Sequence, residues 1–234
     1  TFLLLQVLSL NTGGLQSTQR RKELFHWLLH STSAQAFLLQ ETHLYPDEKI
    51  QQWQKEWEKA ARATAQAGVE YSWWSPSDTA HSGGTAILLR PSIVKHCEVK
   101  EVITSDQHRG GTTQVILQTS NNSKIRLISV YAPAQAVLRT NFYNHLLNTL
   151  PQHQQAVTIM GGDYNCVNVI SRDTFNMPNY ANQGAHELKL LCAQHALVDA
   201  WLEQPPEKRG QGGGFTRYNG NNASASRIDR IYVS

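Results

Sequence analysis

"AVTIMGGDYN", residues 156–165, sets an apolar run directly against a carboxylate and an amide. Ala156–Met160 has the short, unbroken apolar character of a strand buried on both faces, and two glycines then carry the chain to Asp163 and Asn165. A strand covered on both sides belongs inside a layered fold, so its polar end falls at the rim of the layers. Gly-Asp and Tyr-Asn are also ordinary turn pairs, so this stretch gains meaning only from others like it.

There are others on the N-terminal side. Phe2–Leu10 is apolar except for Gln6 and Ser9 and predicts a buried strand, with Asn11 just past its end. Ala36–Leu39 predicts a second, ending at Gln40–Glu41–Thr42, and "RLISV" ends a third, Lys124–Tyr131, at Tyr131. Tyr71–Trp74, Gly84–Leu89 and Thr113–Thr119 also read as strands, punctuated by Pro91, Gly110–Gly111 and Asn121–Asn122. Helical spacing lies between them. Ser17 can cap a helix that puts Leu24, Phe25, Leu28 and Leu29 on one stripe. A second runs from Asp47 to about Gln66 with Ile50, Trp53, Trp57 and Ala60 on its core face, a third spans Gln135–Leu150, and a fourth spans Glu187–His195. Cys166–Gln183 reads as loop. The order predicts an α/β fold: two mixed β-sheets packed face to face as a sandwich flanked by helices, a four-layer arrangement.

With 234 residues, 40% hydrophobic and 17% charged, the chain can bury the core of one sizeable domain, and disorder is excluded. A formal net charge of +3 is too mild to require nucleic acid. Lys208, Arg209, Arg217, Arg227 and Arg230 face only Asp229 in the C-terminal stretch, which reads either as a basic binding edge or as a solvated surface. Cys97, Cys166 and Cys192 lack C-x-x-C spacing, against a disulfide framework and a zinc site, and fit a reducing compartment. No apolar run approaches the roughly 20 residues of a spanning helix, so neither membrane span nor signal peptide is expected. Thr1 in place of an initiator methionine is what an excised segment or a processed product shows.

Strand ends in layered α/β folds converge on one rim, so Asn11, Glu41, Tyr131, Asp163 and Asn165 are expected in one cleft. Carboxylate oxygens and an asparagine amide suit Mg²⁺, with Mn²⁺ as a substitute, and Mg²⁺ binds through one or two carboxylates plus substrate phosphate. Each residue alone has a plainer reading: Asn11 as a turn former, Glu41 as a solvated acid, Tyr131 as packing for Pro133, Thr216 as a strand threonine. His26 and His30 have metal-site spacing on a helix but lack a third ligand, and His43 is an outside candidate for the cleft.

The stretches "LSLNTGGL", "LLQETHL", "SGGTAILL", "ISVYAPA", "MGGDYNCV", "LVDAWLEQPP", "GGFTRY" and "SRIDRIYVS", in that order from residue 8 to 234, resemble the endonuclease/exonuclease/phosphatase superfamily. Within it they look most like the endonuclease domain of non-LTR (LINE-type) retrotransposons. The resemblance implies a Mg²⁺-dependent endonuclease that nicks double-stranded DNA, leaving a 3′-hydroxyl and a 5′-phosphate. In that family the 3′-hydroxyl primes reverse transcription by the reverse transcriptase region of the same polyprotein, in the nucleus. By motif, Glu41 resembles the principal metal ligand with Asn11 beside it. Asp163 resembles the residue that aligns or deprotonates the attacking water, Asn165 and Tyr131 contacts to the phosphate, and Thr216 and Ser226 positions lining the DNA cleft. Arg217 and Arg227, next to them, are further candidates for DNA contact.

Asp229, set among Ile228, Ile231, Tyr232 and Val233, resembles the acid that orients a histidine from a later "S-D-H" motif, which does not occur within residues 1–234. The expectation is therefore a single endonuclease domain, 1–234, that is C-terminally incomplete relative to the family and lacks its last strand. An abasic-site repair endonuclease, a phosphoesterase on a small molecule, and a catalytically silent DNA-binding module are the competing expectations.

Overall fold

The elements follow from where apolar residues alternate and where they run unbroken. The structure, a computed structural model, describes residues 5–62, 69–105, 108–151, 156–177, 179–209, 214–221 and 223–234. In chain order it comprises β1 (Val7–Asn11), α1 (Thr18–His30), β2 (Ala36–Gln40), α2 (Ile50–Ala60), β3 (Ser72–Ser75), β4 (Thr85–Leu89), α3 (Pro91–Val94), β5 (Cys97–Thr104), β6 (Thr112–Thr119) and β7 (Lys124–Tyr131). There follow α4 (Ala136–Thr149), β8 (Ala156–Asp163), α5 (Ile170–Asp173), β9 (Thr174–Phe175), α6 (Ala185–Gln194), β10 (Val198–Asp199), β11 (Arg217–Tyr218), β12 (Ala225–Ser226) and β13 (Asp229–Val233).

Two sheets are stacked. The first has the order β1-β2-β4-β3 and the second β10-β13-β8-β7-β6-β5, while β11-β12-β9 form a small third sheet. Every residue of β2 is buried because the strand is covered on both sides. Ala36 and Leu38 face the second sheet with Ile87, Leu89, Val115, Leu117 and Leu127, and Phe37 and Leu39 face α1 and α2 with Phe25, Leu28, Trp53 and Trp57. On the far side, Ile128, Val130 and Met160 pack against Phe142, Leu146, Leu188 and Leu191 of α4 and α6. This is the expected four-layer sandwich.

Helix α1 begins where Ser17 accepts the Arg20 amide at 3.4 Å, a side-chain cap for an otherwise orphan donor. Arg21, although charged, is 2% exposed: Nε and Nη2 reach Glu56 at 2.7 and 2.9 Å, and the guanidinium lies 4.4 Å above Trp53, tying α1 to α2. Toward one end the inter-sheet layer turns polar. Gln40 donates to Ser129 Oγ at 2.9 Å, Ser129 donates to the Leu39 carbonyl at 2.8 Å, and Thr85 and Thr113 hydroxyls meet at 2.8 Å. The sheets are thus fastened to each other where the functional residues emerge.

Several boundaries differ from expectation. The first strand is Val7–Asn11, so Asn11 is its last residue rather than the one beyond it, and residues 1–4 lie outside the described residues. The expected helix from Asp47 is a 3-10 turn, Asp47–Lys49, followed by α2 to Ala60, and its expected last part falls on residues outside the described ones. Strand β5 was not read from the sequence: with charges at Glu98, Lys100 and Glu101 on an exposed edge, it has no continuous apolar face. The tract expected as loop contains α5 and β9.

Candidate active site

Strand register decides which polar residues meet. Asn11 pairs with Gln40 across β1 and β2, and Glu41 is the residue after β2. In the second sheet, Asp163 is the partner of Tyr131 on one side and of Asp229 on the other, so three adjacent strands present Tyr131, Asp163 and Asp229 in a row. Gly161 and Gly162 let β8 lie close to its neighbours. A Cβ at Gly161 would sit 2.9 Å from Leu38 Cδ1 and 3.0 Å from Ser9 Cβ, and one at Gly162 would overlap the Val130 carbonyl.

The two sheets meet through one amide. Asn11 Nδ2 donates to Glu41 Oε1 at 3.1 Å and to Asp163 Oδ2 at 3.1 Å. Asn11 Oδ1 accepts the Gly13 amide at 3.0 Å, which sets the side chain's orientation. Two carboxylates distant in sequence therefore share a donor atom.

Left-handed backbone recurs here. Glu41, His43 and Asn165 have φ of 49°, 56° and 47°, left-handed values that are uncommon for a glutamate and that asparagine and histidine adopt more readily. Thr12 helps to hold this backbone, donating its hydroxyl to the carbonyls of Gln40 at 3.0 Å and Glu41 at 2.9 Å. The sequence reading missed Thr12; nothing in the residues around it distinguishes this threonine from a turn former. Arg20, which donates from Nη2 to the Thr12 carbonyl at 2.7 Å, was missed for the same reason.

Like charges crowd the cleft. Asp163 is pushed up to about 7, first by burial and then by the Asp229 carboxylate, against hydrogen bonds from the Asn165 amide and Asn11. Asp229 is raised as well, by burial and then Glu41, opposed by a Thr216 hydrogen bond and by Arg230. Tyr131 is raised by burial, by the charges of Glu41 and Asp163, and by its hydrogen bond to Glu41, which keeps the phenol protonated. His43 Nε2 lies 3.7 Å from Glu41 Oε2, but burial lowers its pKa and holds it toward the neutral form.

The carboxylate oxygens, with their surplus of negative charge, fit a hard divalent cation, while Asn11 turns its amide nitrogen toward them and its oxygen toward Gly13. Among the described residues, no group of three or more His, Cys, Asp and Glu side chains is spaced to cage a metal. An ion would therefore rest on one or two carboxylates, Glu41 foremost, with Asn11 beside it, leaving coordination positions for a phosphate. His26 and His30 stack with ring centroids 4.5 Å apart on α1.

The remaining candidates divide. Thr216 Oγ1 accepts the amides of Ile228 at 3.2 Å and Asp229 at 3.0 Å, so it anchors the start of β13. Arg217 is exposed and close enough to Tyr131 to influence its phenol. Asn165 donates its amide nitrogen to the Ala132 carbonyl at 2.8 Å, and its backbone amide to Asp163 Oδ1 at 2.9 Å. Ser226 and Arg227 are corrections to the reading as DNA-contacting residues, since each is only 2% exposed. Ser226 is buried in β12, and Arg227 pairs with Asp173 and Asp199 at 3.1 and 2.8 Å. A basic residue in a loop-like stretch looks available in sequence, and only the fold reveals that acids enclose it.

A sequence profile described as the Endonuclease/Exonuclease/phosphatase family matches residues 8–234. A Xenopus laevis relative, the transposon TX1 uncharacterized 149 kDa protein, is 28% identical over 98% of this chain, which spans 16% of that relative's length. The fold is similar to that of an AP endonuclease from Archaeoglobus fulgidus, with a TM-score of 0.66 at 16% identity, covering 98% of this chain and 86% of that one. It is also similar to a variant of the 3′ phosphatase NExo from Neisseria bound to a product DNA hairpin, with a TM-score of 0.68 at 16% identity, covering 99% and 87%. With residues 8–234 matched, and the acids, amides and phenol of five strand ends gathered at one rim, this chain belongs to the endonuclease/exonuclease/phosphatase family.

Proposed function

We propose that this chain is the DNA endonuclease domain of a LINE-type retrotransposon protein, hydrolysing one phosphodiester of double-stranded DNA to leave a 3′-hydroxyl and a 5′-phosphate. The observation that carries the reading is the Asn11 amide shared between Glu41 and Asp163, which gathers hard oxygen donors around one point. The transposon relative supports the element type, and the product-bound phosphatase supports a nucleic-acid substrate for this scaffold. On this reading the 3′-hydroxyl primes reverse transcription by a further region of the same protein, at chromosomal sites in the nucleus.

The residues divide the work. Asp163, raised toward neutrality, aligns the attacking water and takes its proton, where a base with a pKa near the working pH is most effective. Asn165 and Tyr131 donate to the phosphate oxygens as charge develops on them. Glu41, with Asn11 beside it, would hold Mg²⁺, or Mn²⁺ in its place, and the ion would supply Lewis-acid stabilisation of the phosphoryl group. Arg217 contacts backbone phosphate outside the scissile position. Asp229 orients a histidine where the whole protein carries an "S-D-H" motif downstream, and the longer polypeptide then nicks faster than residues 1–234.

The test is nicking of supercoiled plasmid with Mg²⁺ by residues 1–234 and by the longer polypeptide, each with E41Q and D163N variants. Nicking that needs Mg²⁺ and both acids supports the proposal. Preference for a duplex with an abasic site, or for a phosphorylated small molecule over intact DNA, replaces it with a repair or phosphoesterase activity. DNA binding without cutting, unchanged by E41Q, makes the domain a binding module.

A further inference from the structure

Away from the acid cluster, a buried network joins one arginine to two aspartates, and Arg227 is its hub. The Arg227 guanidinium donates from Nε and Nη2 to Asp173 Oδ1 at 3.2 and 3.1 Å, approaches Asp199 Oδ2 at 2.8 Å, and lies 4.9 Å above the Trp201 ring. Its backbone amide donates to the Asp173 carbonyl at 2.9 Å. Asp173 is itself held, accepting the Val169 amide at 2.9 Å and Arg172 at 2.8 Å, and Asp199 Oδ1 accepts the Trp201 amide at 3.2 Å. One side chain thus joins the α5–β9 segment and the β10 turn to the link between β12 and β13.

That link touches the site on both sides of Arg227. The Ser226 carbonyl accepts the Thr216 amide at 3.0 Å, and the Ile228 carbonyl accepts the Tyr164 amide at 2.9 Å, between Asp163 and Asn165. Thr216 Oγ1 in turn receives the amides of Ile228 and Asp229. A shift of Arg227 therefore moves Thr216, Asp229 and the 163–165 turn together.

Resting on the endonuclease reading above, we propose that Arg227 is a positioning residue, whose fork to Asp173 and Asp199 sets Asp229 and Thr216 against Asp163 for the cleavage step. Ion pairs taken wholly out of water add little net stability over apolar groups of the same shape, whereas the planar guanidinium holds Asp173 Oδ1 by two N–H donors and at the same time sets Nη2 at ion-pair distance from Asp199. What this network contributes beyond packing is alignment, and a displacement on the order of 1 Å at a reacting centre lowers a rate about 100-fold.

Two variants separate alignment from stability. R227K keeps the charge and loses the fork, while the combined R227M, D173N and D199N variant removes the three buried charges and leaves only Arg172, which reaches solvent, without its carboxylate partner. Both are compared with the parent in plasmid-nicking kinetics and in amide hydrogen exchange. The expected result is a kcat lower by about tenfold or more with KM within about threefold in both variants. Thr216 and Asp229 amides should exchange faster while those of Leu38 and Leu88 in the first sheet keep the parent's protection. Parent-like kcat in the combined variant, or unchanged exchange at Thr216 and Asp229 in folded variants, overturns the proposal. A parent that does not nick DNA refutes the endonuclease reading instead, and the exchange measurement then decides alone whether Arg227 orders this rim.

Discussion

Asp163 carries the sharpest consequence at the scale of a residue. Its carboxyl titrates near 7 because burial and Asp229 disfavour its charge, whereas an unfolded aspartate titrates near 3.9. Between about pH 4 and pH 7 the folded state therefore keeps a proton that the unfolded state has lost, and stability falls as pH rises through that window. D163N removes the Asp163 part of this dependence and leaves that of Asp229. In metal-free buffer at pH 8 it is expected to melt several degrees above the parent, while plasmid nicking drops by about 10²–10⁴-fold, the range for loss of a general base. Unchanged melting or retained cleavage contradicts the assignment. E41Q is expected to raise the Mg²⁺ concentration needed for half-maximal nicking by more than about tenfold, because a neutral amide replaces the main anionic ligand. A titration of rate against Mg²⁺ reads it. These roles were legible in part: Glu41 and Asp163 stand out as acids after apolar runs. Arg227 was misjudged, because burial is not written in the residue.

Among elements, β8 does most to build the site. Its apolar half packs between β7 and β13, and Gly161–Gly162 then bring Asp163 up to β1. The two glycines are not equivalent. A methyl at Gly162 overlaps the Val130 backbone, which cannot move without breaking the β7–β8 pairing, whereas at Gly161 it meets chiefly the Leu38 and Ser9 side chains. G162A is expected to lose about 3 kcal/mol or more, and G161A about 1–2 kcal/mol, in denaturant unfolding, within the span of backbone clash and overpacking. Equal losses contradict this reading of the contacts. The apolar runs were legible as strands, but of those expected to be covered on both faces only β2 is, since β1 is half-buried along its length and β8 exposes Val157. β5, β9 and β11 were not legible, since edge and two-residue strands owe their form to partners elsewhere in the chain.

For the whole molecule, electrostatics and layering act together. On the proposed function, an acidic centre in a protein of net charge +3 leaves phosphate contacts to the rim. R217A is then expected to weaken duplex binding similarly for all sequences and to reduce the slope of log K against log salt by about 1, the effect of one lost phosphate contact. Binding isotherms at several salt concentrations measure it, and an unchanged slope removes Arg217 from the interface. By itself, the sequence determined the layer order and nominated Asn11, Glu41, Tyr131, Asp163 and Asn165, because apolar periodicity and the polar residue that ends a buried run are local properties. Tertiary structure alone decided that one Asn11 amide serves both Glu41 and Asp163, that Asp229 stands beside Asp163 and lifts its proton affinity, and that Arg227 faces two aspartates rather than solvent. Distance, burial and the pairing of charge arise only when strands remote along the chain are set in register.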